Sequence, residues 1–244
     1  MLKVKDIAKM IDHSLLNPKF TDEDIKLGCE IAKKYDVATV CVRPTDLKLA
    51  AELLKGSDVL PTTVIGFPHG SNRTDTKVFE AEKAIEDGAL EIDMVLNIGK
   101  LLSGEYEYVQ QDVKAVCDIA HKNNVIVKVI FENCYLSDEQ KTAACKICDE
   151  AGADFVKTST GYGTGGATVE DLKLMRANTK PETRIKAAGG VRTLNGALAV
   201  RKLGCTRFGA TATIAIIEDA KQRFDKGELK ELSDDAEIVI GGNY

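Results

Sequence analysis

Short apolar runs alternate with longer amphipathic stretches from one end of this chain to the other. Eight such runs predict strands, near Ile11–Leu15, Ala38–Val42, Leu60–Gly66, Leu90–Leu96, Ile126–Phe131, Phe155–Thr160, Arg184–Ala188 and Thr206–Ala210. The stretches between them predict helices. These include Thr21–Tyr35, Lys77–Asp87, Glu107–Asn123, Ser137–Glu150, Val169–Asn178 and Thr193–Leu203, with a shorter one at Pro44–Leu54. A helix–glycine–strand junction recurs at Gly88, Gly152 and Gly204, each placed where a helix ends in the left-handed region. This alternation argues for βαβ units and a parallel sheet. Eight of them favour an α/β fold of the closed (β/α)₈ TIM-barrel type over a doubly wound sheet. Val4–Met10 reads as an extra N-terminal helix closing the barrel bottom, and 229–244 as a tail. With no linker and no low-complexity run, the whole of 1–244 reads as one barrel domain.

Composition narrows the classes of function. Lys+Arg 33 against Asp+Glu 38 gives a formal charge of −5, and no basic stripe appears. Nucleic acid and anionic membranes are therefore not expected partners. No apolar run is long enough to span a bilayer, and Met1-Leu2-Lys3-Val4-Lys5-Asp6 lacks a signal-peptide core. Seven cysteines without framework spacing suit a reducing, cytoplasmic setting. Cys145 and Cys148 share one helical face and read as core packing before redox or metal chemistry. His13, His69 and His121 show no ligand spacing, so no metal site is expected. His69, just past a strand end, reads as a loop residue that could line the barrel mouth. A homodimer is the expected assembly, on the general frequency of symmetric dimers.

Strands of a parallel barrel are buried on both faces and should be apolar. Four of these are not: Asp93, Lys128, Lys157 and Lys186 stand inside apolar runs on four different strands. Asp93 and Lys157 each lie five residues beyond the glycine of their junction, so they should sit at equal height and face the same way. An ion-pair cluster that only fixes register is the competing reading, but buried ion pairs are a poor route to stability. Lys157 and Lys186 close together should each depress the other's pKa, leaving a neutral amine able to form a Schiff base with a carbonyl. Asp93 is placed to manage the proton transfers. The set suits a metal-free aldolase. Glycine-rich loops follow two of these strands, Thr160-Gly161-Tyr162-Gly163-Thr164-Gly165-Gly166 and Gly189-Gly190-Val191-Arg192, and Ala210-Thr211 follows the eighth. Such loops suit an anion, above all a phosphate.

Asp12-His13-Ser14-Leu15-Leu16, Val64-Ile65-Gly66-Phe67-Pro68, Glu91-Ile92-Asp93-Met94-Val95, Lys128-Val129-Ile130-Phe131-Glu132, Phe155-Val156-Lys157-Thr158-Ser159-Thr160-Gly161, Ile185-Lys186-Ala187-Ala188-Gly189-Gly190-Val191-Arg192 and Arg207-Phe208-Gly209-Ala210 carry a resemblance over almost the whole chain. It resembles the deoxyribose-phosphate aldolases, a family of class I aldolases. The resemblance implies a cytoplasmic lyase of deoxyribose phosphate catabolism. It would reversibly cleave 2-deoxy-D-ribose 5-phosphate to glyceraldehyde 3-phosphate and acetaldehyde, with no cofactor beyond the covalent imine. Carried over by motif, Lys157 would form the Schiff base, Lys186 would tune it and Asp93 would handle protons, with Lys186 sharing that relay. Gly161, Gly189 and Gly190 would hold the phosphate, with Thr160 and Thr211 beside them, and Asp12 and Lys128 would be accessory. Cys41, at the end of the second strand, reads as core packing first and as an accessory residue lining the pocket second. Two positions depart from the family pattern. Ala210-Thr211-Ala212 replaces a serine pair, and Tyr162 stands where a lysine is common, although Arg192 could compensate. Tyr244 is either part of a frayed tail or a proton shuttle brought over the pocket by Gly241-Gly242-Asn243. A transaldolase-like or keto-acid aldolase is the competing enzyme, and a silent sugar-phosphate-binding barrel the competing non-enzyme.

Overall fold

A closed ring of eight parallel strands forms the centre, in the order in which they occur in the chain. The structure, a computed structural model, describes residues 1–233, 236 and 238–240. Helix α1 (Val4–Ala8) leads into β1 (Ile11–Leu15), α2 (Asp22–Lys34), β2 (Thr39–Val42), α3 (Leu47–Leu54) and β3 (Leu60–Ile65). There follow α4 (Thr74–Glu86), β4 (Glu91–Val95), α5 (Ile98–Leu102), α6 (Tyr106–Lys122), β5 (Ile126–Ile130), α7 (Asp138–Ala151) and β6 (Phe155–Lys157). The turn of the barrel is completed by α8 (Val169–Ala177), β7 (Arg184–Ala187), α9 (Leu194–Lys202), β8 (Arg207–Ala210) and α10 (Thr213–Asp225). Strand β1 pairs with β2 on one side and with β8 on the other, which closes the ring and leaves no sheet edge. The expected TIM-type barrel with a small N-terminal helix is the observed fold.

The period of two along each strand sorts side chains into two environments. Ile92, Val127, Val129, Val156 and Ile185 join one continuous apolar core between sheet and helices. Each such burial contributes about 1.5–3 kcal/mol. The alternate positions, Glu91, Asp93, Lys128, Lys157 and Lys186, are buried too and point into the barrel. Local sequence fixes where the helices begin. Thr21 with Asp24 and Ser137 with Gln140 form capping boxes that start α2 and α7, while Thr168 and Thr193 cap α8 and α9. Helix α7 ends at Gly152 with φ +83, and the junction glycines Gly88 and Gly204 are also in the left-handed region.

Several strands are shorter than expected, and two endings have a visible cause. Strand β3 stops at Ile65 because Gly66 turns at φ +59, so close over Lys77 that an added Cβ would lie 2.9 Å from Lys77 Cε. Strand β6 stops at Lys157 instead of Thr160. The Thr158 hydroxyl donates to the Ala188 carbonyl (3.1 Å) and accepts from the Ala188 N–H (3.0 Å), so a side chain takes over from the ladder. The short helix α5 was not expected, nor was the 3₁₀ turn Pro44–Asp46 that precedes α3.

Candidate active site

Asp93 is fully buried and its carboxylate meets the amino groups of three lysines. Lys128 Nζ lies 2.7 Å from Oδ1, and Lys157 Nζ and Lys186 Nζ lie 2.7 and 2.6 Å from Oδ2. The register explains why Lys157 reaches. Asp93 pairs with Lys128, whereas Lys157 pairs with Ile130, two residues further along β5. Over two strands that is the one-residue-per-strand stagger of an eight-stranded barrel with a shear of eight, so the two side chains share a level. The height inferred from the junction glycines is therefore met in the fold.

Below and beside this centre the network continues. Lys128 also contacts Glu91 (2.5 Å) and, at 3.5 Å, Asp12. Arg207 donates to Asp12 (2.7 Å) and forms a two-pronged contact with Glu91 at 3.0 and 3.1 Å. Lys186 pairs with Asp12 as well. Asp12, Glu91 and Asp93 thus meet Lys128, Lys186 and Arg207, three carboxylates against three cations, with Lys157 left over. Charge balance inside the barrel favours an uncharged Lys157.

The pKa shifts agree with that count. Burial, reinforced by the Lys186 cation, pushes Lys157 down, while Asp93 opposes it. Lys186 moves the other way. Burial works against its charge, but Asp12 and Asp93 together outweigh burial and raise its pKa. The expectation that the two lysines depress each other thus holds for Lys157 and fails for Lys186, because only Lys186 has a second carboxylate. Burial would raise Asp93, but Lys128, Lys157 and Lys186 together hold it well below the ordinary carboxylate range. The Cys41 thiol is pushed up to about 11, first by burial and then by Asp93.

A cavity of about 480 Å³ opens above this layer, a size that suits a small metabolite. Lys157 and Lys186 face it with Asp12 and Cys41, and its upper wall carries Thr160, Gly161, Gly189, Gly190, Arg192 and Thr211. Asp93 and Lys128 lie beneath the lysines and do not line it. Thr160 is less free than expected: its hydroxyl donates to the buried Glu132 carboxylate and accepts from the Tyr162 N–H (2.9 Å). Tyr162, at the position where a lysine is common, is held by two contacts. Its hydroxyl donates to the Leu16 carbonyl at 2.7 Å and its ring stands edge-on to Phe67, forming a strap between the β6 and β1 loops. His69 is exposed in its loop and does not line the cavity. Tyr244 lies outside the described residues.

Glu91, Glu132 and Arg207 were not foreseen. Glu91 and Arg207 sit at strand starts, where a charged residue ordinarily reaches solvent. The alternation along each strand could have exposed them, since Glu91 is two residues before Asp93 and Arg207 lies among β8 residues that must face inward. Among the described residues, no group of three or more His, Cys, Asp or Glu is arranged to hold a metal ion. All seven cysteines are free, and Cys145 and Cys148 are buried in the core, with burial raising both thiol pKa values.

Residues 7–214 match the family model described as DeoC/LacD family aldolase. A deoxyribose-phosphate aldolase of Clostridium perfringens is 53% identical over 214 residues, covering 88% of this chain and 95% of that one. Another from Thermococcus gammatolerans is 53% identical over 218 residues, covering 88% and 97%. Among solved structures, a putative deoxyribose-phosphate aldolase from Coccidioides immitis superposes with a TM-score of 0.86 at 40% identity, over 90% of this chain and 87% of that one. The Aeropyrum pernix deoxyribose phosphate aldolase, described as a unique tetramer, gives 0.82 at 30% identity, over 90% and 92%.

Proposed function

The chain belongs to the DeoC/LacD family of aldolases, and we propose that it reversibly cleaves 2-deoxy-D-ribose 5-phosphate to glyceraldehyde 3-phosphate and acetaldehyde through an imine on Lys157. One observation carries the reading: Lys157 is a buried lysine of depressed pKa, at the floor of a cavity, in a layer whose other charges already balance.

The uncharged Nζ of Lys157 attacks C1 of the open-chain sugar, and loss of water leaves a protonated imine. The C3 hydroxyl gives up its proton, the C2–C3 bond breaks, and its electron pair flows to the imine nitrogen. Glyceraldehyde 3-phosphate leaves, and the remaining enamine takes a proton at C2. Water then releases acetaldehyde and restores the amine. Lys186, an ammonium at the cavity wall, can reach these atoms: it gives its proton to the departing water, takes the C3 hydroxyl proton as the free amine, hands it to C2, and is reprotonated when water hydrolyses the imine. Asp93 stays ionised, so it serves as the anchor through which Lys157 and Lys186 exchange a proton and does not act as a free acid. The lysine itself supplies the electron sink, so the scheme needs no metal or cofactor. The phosphate would sit against the backbone of Gly161, Gly189 and Gly190, with Thr211 ahead of the α10 N-terminus and Arg192 as the nearby cation.

No helix among the described residues is long and apolar enough to cross a membrane, which suits a cytoplasmic setting. Self-association is part of the proposal. A homodimer is the simplest form, and the tetramer described for the A. pernix relative supports assembly in general. Light scattering separates the two.

The test is covalent trapping. Incubation with acetaldehyde and borohydride should place an ethyl group on Lys157, and the Lys157→Ala variant should carry none there. No adduct, or one spread over surface lysines, removes the mechanism.

A further inference from the structure

Glu132 is buried (2% exposed) at the end of β5 with φ +58 and ψ +63, a conformation that costs any residue other than glycine. The cause lies in the pairing of β5 with β6. The Phe131 N–H donates to the Lys157 carbonyl (3.0 Å), and the Asn133 N–H donates to the neighbouring Thr158 carbonyl (3.0 Å). A regular parallel ladder would advance two residues on both strands between these bonds. Here β6 advances one, so Glu132 is an extra residue and forms a bulge immediately beside Lys157.

The bulge places the Glu132 carboxylate under the β6 loop. The Thr160 N–H donates to Oε1 at 3.1 Å, and the Thr160 hydroxyl donates to Oε2. Thr160 Oγ1 in turn accepts the Tyr162 N–H at 2.9 Å. The loop passes directly over the carboxylate: an added Cβ on Gly163 would lie 2.9 Å from Glu132 Cδ. The backbone is thus braced on both sides of Gly161, which itself turns at φ +96 and lines the cavity. A strained residue persists only where its surroundings over-determine it, and strain of this kind clusters at sites that must be pre-organised.

We propose that Glu132 is a positioning residue for phosphate selectivity: it holds the Gly161 loop in the shape that receives the phosphate of the substrate. This rests on the reading of that loop as the phosphate site. Glu132 does not line the cavity, so its effect must appear as a change in preference for phosphorylated over unphosphorylated sugar.

The experiment measures kcat/KM for 2-deoxyribose 5-phosphate and for 2-deoxyribose, and takes their ratio. Glu132→Gly keeps the left-handed backbone without strain and deletes the carboxylate, while Glu132→Gln keeps an oxygen for the Thr160 N–H. The ratio should fall roughly tenfold or more in Glu132→Gly, the order of loss that a small misplacement of a binding group causes, and recover most of its value in Glu132→Gln. A merely structural role would lower both substrates together and leave the ratio unchanged, which would overturn the proposal. A wild-type ratio near one would instead overturn the phosphate reading of the loop, and the proposal with it.

Discussion

Lys157 and Lys186 are the same side chain, face the same carboxylate oxygen and are both buried, yet their pKa values move in opposite directions. The difference is Asp12, which pairs with Lys186 and not with Lys157. In the proposed mechanism one lysine is the nucleophile and its neighbour the proton carrier, and two amines with separated pKa values are what acid–base work on an imine needs. Lys186→Leu removes the cation that helps depress Lys157, so the Lys157 pKa should rise. Because the proposed mechanism starts from the neutral amine, the acid limb of the pH profile of kcat/KM should then move to higher pH, alongside a loss in rate from the missing proposed proton carrier. A rate loss with an unmoved limb would mean that burial alone sets the Lys157 pKa. The sequence made these residues legible because a lysine inside Val156-Lys157-Thr158 or Ile185-Lys186-Ala187 conflicts with burial on both faces. It did not make Glu132 legible. The left-handed turn there follows from how two strands mismatch, and no pattern along either strand encodes a mismatch between them.

At the scale of elements, eight strands were readable from alternation with helices, but their ends were not. Strand β6 ends early because Thr158 uses its hydroxyl on Ala188, a contact made across strands. The same limit hid the clip joining α4 to β4 and α6. Lys77 lies on an amphipathic helix and reads as a surface residue, yet it is fully buried. Its Nζ meets Asp112 of α6 at 2.5 Å and donates to the Val95 carbonyl at the end of β4 (3.0 Å), while Thr74 donates to the other Asp112 oxygen (2.8 Å). Breaking such a pair leaves an uncompensated buried charge, so Lys77→Met should destabilise by about 3–5 kcal/mol. The double variant Lys77→Met/Asp112→Leu removes both charges and should regain most of the loss in chemical denaturation. Losses that simply add in the double variant would show that the two residues act separately.

For the whole molecule, closure joins the two ends of the barrel, and a histidine sits on that seam beside the Asp12–Arg207 pair. His13 of β1 is buried, and its Nδ1 lies 2.8 Å from the hydroxyl of Thr213, the first residue of α10. Burial pushes the His13 pKa down to about 4. A histidine of depressed pKa binds its proton more readily when unfolded, so stability is full above the ordinary value near 6.5 and declines as pH falls towards 4. Asp12 and Asp93 act in a separate window. Their pKa values are depressed in the fold, so the stability they contribute is present above the ordinary carboxylate range, near 4, and erodes only below it. Acid should therefore loosen the barrel in two stages, the histidine first and the buried charged layer second. Between pH 7 and pH 5 the histidine stage is worth about 2 kcal/mol, or roughly 5 °C in Tm for a chain of this size. His13→Gln removes that titration and leaves the carboxylates alone. It should flatten the fall in Tm between pH 7 and pH 5 while keeping the steeper fall below pH 4. An equal slope in both proteins across the upper window would assign the loss to groups other than His13.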